Sequence, residues 1–128
     1  METFEEALRL FGADQLDELV KLLDPEITST PVEGWPEPGP FLGKEAMLGQ
    51  FHRLTSDIGA HRITDVSILA ADDDWVVGAF RWEVQGAGSG IETFLDLLGA
   101  CRFENGLIRE FHFRTSRDAA LEAAGLRE

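Results

Sequence analysis

Between His61 and Phe113 apolar and polar residues alternate with a period of two in four stretches, "HRITDVSILA", "WVVGAFRWEVQ", "IETFLDLLGACRF" and "LIREFHF". Each pair is separated by a short turn segment, "DDD", "GAGSG" or "ENG". Asn105-Gly106 and the glycines at 86, 88 and 90 supply the positive φ that tight hairpins require, so the four stretches read as consecutive antiparallel strands. This half of the chain can hardly form anything but a meander. Whatever else folds must pack on one.

The first half has a different period. Phe4, Leu8 and Phe11 recur at helical spacing in residues 3–11, as do Leu16, Leu19, Val20 and Leu23 in residues 14–24. These predict two helices joined by a "GAD" turn, with Asp14 as N-cap of the second. "DPEITSTPV" reads as a short strand ending at Pro31. In "GKEAMLGQFHRLTSDIG" the residues Met47, Phe51, Leu54 and Ile58 mark one face of a third helix. All five prolines fall between Pro25 and Pro40, and "GWPEPGP" (34–40) concentrates three of them, so this segment is barred from regular structure. At the C-terminus Ser116 caps a short helix, "RDAALEAA", closed by Gly125.

The 128 residues fit one domain, with no linker or repeat to divide residues 1–128. With 44% hydrophobic and 27% charged residues, the composition is that of a folded globular protein. The order of elements predicts an α+β fold, with helices on one face of a curved antiparallel sheet.

Parity assigns the faces. Phe80, Trp82 and Val84 share one side of their strand, and Arg81, Glu83 and Gln85 the other; Phe111 and Phe113 oppose Glu110, His112 and Arg114. On the intervening strand Leu95, Leu97, Gly99, Cys101 and Phe103 form the purer apolar set. The predicted inner face is therefore almost wholly apolar. The outer face mixes Phe94, Leu98 and Ala100 with Arg81, Glu83, Asp96, Arg102 and Arg114, a composition suited to a second subunit.

A net charge of -13 opposes nucleic acid and anionic membrane surfaces, both of which need clustered Lys and Arg. "ETFEEALRLF" after Met1 has no basic or apolar leader region, and no apolar run spans a bilayer, so the expectation is a cytoplasmic protein. Cys101 is the sole cysteine, which rules out an intrachain disulfide and a Cys-based zinc motif. The three histidines lack ligand spacing; neither a metal nor another cofactor is expected.

Five stretches in order, "LDELVKLLDPEI", "GWPEPGPFLGKEAM", "FRWEVQGAGSG", "RFENGLI" and "SRDAALEAAGL", resemble the nuclear-transport-factor-2-like (cystatin-like) superfamily, in particular its bacterial SnoaL-like, polyketide-cyclase-like branch. The resemblance implies a cone: a curved sheet with the three N-terminal-half helices on its concave face, a short C-terminal helix, a pocket inside, and a homodimer through the outer sheet face. It does not fix the activity, because the family hosts isomerases, epoxide hydrolases, cyclases and noncatalytic binders. Ketosteroid isomerase places its base at the end of the first strand, where this chain has Thr30 or Pro31, and its oxyanion-hole carboxyl where this chain has Gly99. A tyrosine for that hole is missing from the whole sequence. For limonene epoxide hydrolase, the register that matches "LDLLGA" puts Phe80 and Trp82 at two functional positions, and another falls near Phe113. Both catalytic sets are vacant.

The pocket is then expected to be lined by Phe80, Trp82, Leu97, Cys101, Phe103, Phe111 and Phe113 and roofed by Trp35, which suits a small apolar or aromatic ligand. Candidate acid–base residues are Glu33 in the proline segment, His52 on the third helix and His112, should its side chain turn inward. By parity His112 belongs to the outer face, as does the Glu83/Asp96 pair, and His61 reads as a surface residue. Three readings follow: a binding protein for a hydrophobic ligand, a cyclase or isomerase acting on a polyketide-like or terpenoid carbonyl compound, and a noncatalytic dimerisation module.

Overall fold

The structure is a computed structural model that describes every residue except Met1, Glu33, Pro36, Pro38, Asp57, 87–89 and 127–128. The chain runs α1 (Glu2–Gly12), α2 (Leu16–Leu19) with a 3₁₀ turn (Val20–Leu22), β1 (Leu23–Thr30), β2 (Phe41–Leu42), α3 (Lys44–Ser56), β3 (Ile58–Ala71), β4 (Trp75–Gly86), β5 (Glu92–Glu104), β6 (Leu107–Arg114) and α4 (Arg117–Ala124). One sheet of six strands has the order β2-β1-β6-β5-β4-β3. The predicted meander is present as β3 to β6, antiparallel throughout. Strand β1 joins it parallel to β6, with Ser29 opposite Phe111 and Thr30 opposite His112. The middle of the "GAGSG" turn lies outside the described residues.

Parity places β4, β5 and β6 as expected. Phe80, Trp82, Cys101 and Phe111 are buried on the inner face, and Arg81, Asp96, Glu110 and His112 lie on the outer one. Glycines 78 and 99 face each other across β4 and β5. They leave a flat spot on the inner face, and the ring of Phe4 from α1 fills it. A Cβ added at Gly78 would lie 2.5 Å from Phe4 Cε1, and one at Gly99 would lie 2.8 Å from Phe111 Cε1. Phe4 is fully buried and stacks on Phe111 at 6.0 Å. Helix α1 is thereby pinned to the sheet. Its acidic first turn also suits the positive end of the helix dipole.

Four expectations need correction. The second helix, read from apolar spacing over residues 14–24, is a single α-helical turn and a 3₁₀ turn. Asp14 is not its N-cap, a place held by Gln15, but adopts positive φ (58°) in the preceding turn, and Leu23 is taken into β1 rather than the helix. Helix α3 ends at Ser56, and Ile58 belongs to β3, paired with Gly86. Phe41 and Leu42, just after the proline-rich segment 34–40, form a two-residue edge strand on β1. Finally, α4 does not join the other helices on the inner face. Its Ala120, Leu121 and Ala124 pack with Val77, Ala100 and Leu98 on the outer face, so Leu98 and Ala100 are covered by the chain itself. Ser116 Oγ accepts a hydrogen bond from the Ala119 amide and Gly125 ends the helix at φ 70°, as the capping residues imply.

Strand β3 supplies curvature. Its register against β4 shifts three times, once between Thr64 and Ser67, where Asp65 has φ 54°. The extra residue switches parity. His61 and Ile63 face inward before it, and Val66 and Ile68 after it.

Candidate functional site

Between α1, α3 and the inner sheet face lies a cavity of about 70 Å³. Its floor comes from Phe80 and Trp82 of β4, Leu95 and Leu97 of β5, and Phe111 and Phe113 of β6. Ala7, Leu8 and Phe11 of α1 close one side, and Met47, Gln50, Phe51 and Leu54 of α3 the other. Pro31, Val32 and Trp35, from the proline-rich segment, stand at its edge. The rings interlock: Phe11 meets Phe51 at 5.0 Å and Trp82 at 5.8 Å, and Phe113 stacks on Phe111 at 4.5 Å. Such tilted and offset contacts hold the walls in one arrangement.

Of the eight residues expected in the lining, Trp35, Phe80, Trp82, Leu97, Phe111 and Phe113 are there. Cys101 and Phe103 are not. They share the inner face, but the core closes over that end of the sheet: Cys101 is wholly buried between Val76 and Phe111, and Phe103 packs at the core's margin. Burial pushes the Cys101 thiol well above its ordinary range, so it is a small apolar residue there rather than a nucleophile.

The candidate acid–base residues do not meet. Glu33 lies outside the described residues. His52 is exposed on α3. His112 lies on the outer face, where its Nδ1 is hydrogen-bonded with Thr30 Oγ1 (2.8 Å) and its Nε2–H donates to Glu110 Oε1 (2.8 Å), with Trp75 stacked at 6.1 Å. Arg114 donates to Thr30 Oγ1 and Arg102 to Glu110. Burial raises the Glu110 pKa, but the hydrogen bonds from Arg102 and His112 outweigh it and hold the carboxyl below the usual carboxylate range. Asp96 is likewise held low by its hydrogen bonds from Arg81 and stays on the outer face with it. Thr30, one of the two positions matched to the isomerase base, points away from the cavity. Gly99, matched to the oxyanion carboxyl, offers no side chain at all.

Two site residues were not anticipated. His61, read as a surface residue, has a side chain only 2% exposed, lodged beside Phe11 and behind Trp82. Trp82 Nε1–H donates to His61 Nδ1 at 3.1 Å, so the ring proton sits on Nε2, which donates to Asp14 Oδ1 at 2.6 Å. A hydrogen-bonded line thus runs from an exposed carboxylate to the cavity wall. Gln50 is the second. It is 4% exposed, lies in the apolar stripe of α3, lines the cavity, and has no hydrogen-bond partner among the described residues. The signal was its spacing, three residues after Met47 and four before Leu54, which put a polar side chain on a buried face.

Among the described residues, the cavity wall contains no ionisable side chain, and no group of three or more His, Cys, Asp or Glu is arranged to hold a metal ion. No described helix is long and apolar enough to cross a membrane.

The curved sheet, the helices on its concave face and the apolar recess between them define a nuclear-transport-factor-2-like protein. The SnoaL-like domain matches residues 4–111, and the chain belongs to that family. Solved structures agree in fold. Bal32a, from a soil-derived mobile gene cassette, superposes with a TM-score of 0.78 at 20% identity, covering 95% of this chain and 92% of that one. TerC co-crystallised with polyporic acid gives 0.77 at 16% identity, with 97% and 96% covered. A Catenulispora acidiphila protein of ketosteroid-isomerase-like fold, in complex with trimethylamine, gives 0.76 at 16% identity, with 98% and 94% covered. No curated protein matches the chain.

Proposed function

We propose that this SnoaL-like domain binds a small, largely apolar or aromatic molecule in the cavity between α1, α3 and the sheet. The observation that carries the reading is the void itself. About 70 Å³ is left between α1, α3 and the sheet, walled almost entirely by apolar and aromatic side chains, where a fold serving only as an assembly module needs no such recess. The wall is apolar and aromatic, as in ligand pockets generally, and TerC, a protein of the same fold, has been co-crystallised with polyporic acid. A cavity this size holds only a few heavy atoms as it stands; a ring-sized ligand must displace the edge residues Pro31, Val32 and Trp35.

The cyclase or isomerase reading has less support, since acid–base turnover needs a titratable group at the reacting atoms and the described wall lacks one. The purified chain, heated with benzene, toluene, indole, naphthalene and cyclohexanone in turn, is expected to melt higher with at least one of them. At a hundredfold excess over Kd the gain is about 2.7 kcal/mol. Trp35→Ala is expected to weaken that gain. No shift with any compound would refute the binding reading.

A second copy occupies the outer sheet face in this proposal. Phe94 is 52% exposed there, and Arg81 lies 4.0 Å from the Phe94 ring centroid beside its Asp96 partner. Large exposed apolar side chains among charged ones are typical of interfaces. Sedimentation equilibrium should give a dimer that Phe94→Asp converts to monomer; a monomeric wild type would exclude the assembly.

A further inference from the structure

Resting on the binding reading above, we infer that Gln50 is a polar anchor, and that the ligand is a neutral, hydrocarbon-rich molecule carrying one hydroxyl or carbonyl oxygen. A side-chain amide buried among apolar groups without a partner is unfavourable. Gln50 is 4% exposed, lines the cavity among apolar residues, and has no hydrogen-bond partner among the described residues. It offers one acceptor, Oε1, and two donors on Nε2, so it satisfies an alcohol or phenol through either end and a ketone or aldehyde through Nε2. It carries no charge. With no Lys, Arg, His, Asp or Glu among the described lining residues, an ionised ligand would lose its hydration without compensation.

The position of Gln50 on α3 gives the ligand a direction. Gln50 belongs to the helix wall with Met47 and Leu54, whereas the rings of Phe80, Phe111 and Phe113 belong to the sheet wall, so the oxygen-bearing end lies against the helix and the hydrocarbon end against those rings. A bound water satisfying the amide would leave this polarity without consequence for binding, and the experiment separates the two.

Isothermal titration of the full chain and of Gln50→Leu is made with two matched pairs: p-cresol against p-xylene, and cyclohexanol against methylcyclohexane. The substitution is expected to weaken the oxygenated member of each pair by roughly five- to tenfold while leaving the hydrocarbon unchanged or tighter. Gln50→Met, which also keeps the volume, is measured alongside in case the leucine variant fails to fold. An equal effect on both members would overturn the anchor and leave the apolar pocket intact. Failure of all four compounds to bind either protein would overturn the pocket and the anchor with it.

Discussion

Replacing Gly78 with alanine is expected to lower the stability of this protein by about 2–3 kcal/mol, through overpacking alone. The new methyl would meet the Phe4 ring at 2.5 and 2.8 Å and the Ser67 carbonyl oxygen at 3.0 Å. Neither neighbour can step aside easily. Phe4 is wholly enclosed and stacked on Phe111, and the Ser67 carbonyl belongs to the backbone of β3. For a chain of this length the loss corresponds to a fall in Tm of about 10 °C. Phe4→Leu is itself destabilising, but it removes the atoms the new methyl strikes. The double variant should therefore be less destabilised than the sum of the two singles by about 1 kcal/mol. Thermal or urea denaturation of the four proteins checks this, and simple additivity would show that Phe4 is not held by the Gly78/Gly99 socket.

Substituting His61 by phenylalanine is the second large effect expected. The ring contacts with Phe11 and Trp82 are retained, but the Trp82 Nε1–H is left buried without an acceptor, a cost of about 1–3 kcal/mol. Asp14→Asn, by contrast, alters an exposed side chain and should cost less than about 0.5 kcal/mol. The indole N–H resonance of Trp82, identified by its loss in Trp82→Phe, should move markedly in the His61 variant and little in the Asp14 variant. If both variants have the same small effect, His61 does not position the cavity wall.

The strands most legible in the sequence were those with unbroken alternation. In β4 and β6 every second residue declared its face, and six of the eight expected lining residues follow from that parity and the placing of Trp35. The histidine in β3 was misread because its strand contains bulges: counting by twos along "HRITDVSILA" gives no consistent face once Asp65 inserts an extra residue. Cys101 and Phe103 share the parity of Leu97 yet lie past the end of the cavity. Parity tells inside from outside but is silent on depth along a strand. The outer position of α4 was not legible either, since the small residues Ala120 and Ala124 that fit it against Val77 and Ala100 suit either face. The shortness of α2 reflects competition for Leu23, whose apolar side chain satisfies a helical stripe and a strand equally well. Gln50 was legible in principle, being polar within an apolar stripe, but only burial distinguishes an anchor from a residue at the edge of the stripe.

The partnership of β1 with β6 also bears on how the molecule comes into being. Strand β1 lies between the two-residue β2 and the last strand of the meander, and Thr30 finds its parallel neighbour His112 82 positions later in the chain. Contacts so far apart in sequence are slow to form, because a long loop must close before they give any return. On the ribosome the order is stricter still. Helices α1 to α3 and β1 emerge first, carrying Leu8, Phe11, Leu19, Leu23, Phe51 and Leu54 into water, and must wait for β6 before the apolar recess they enclose can be completed. A premature stop or a pause before residue 107 would leave a sticky half-cone, the kind of species that chaperones hold.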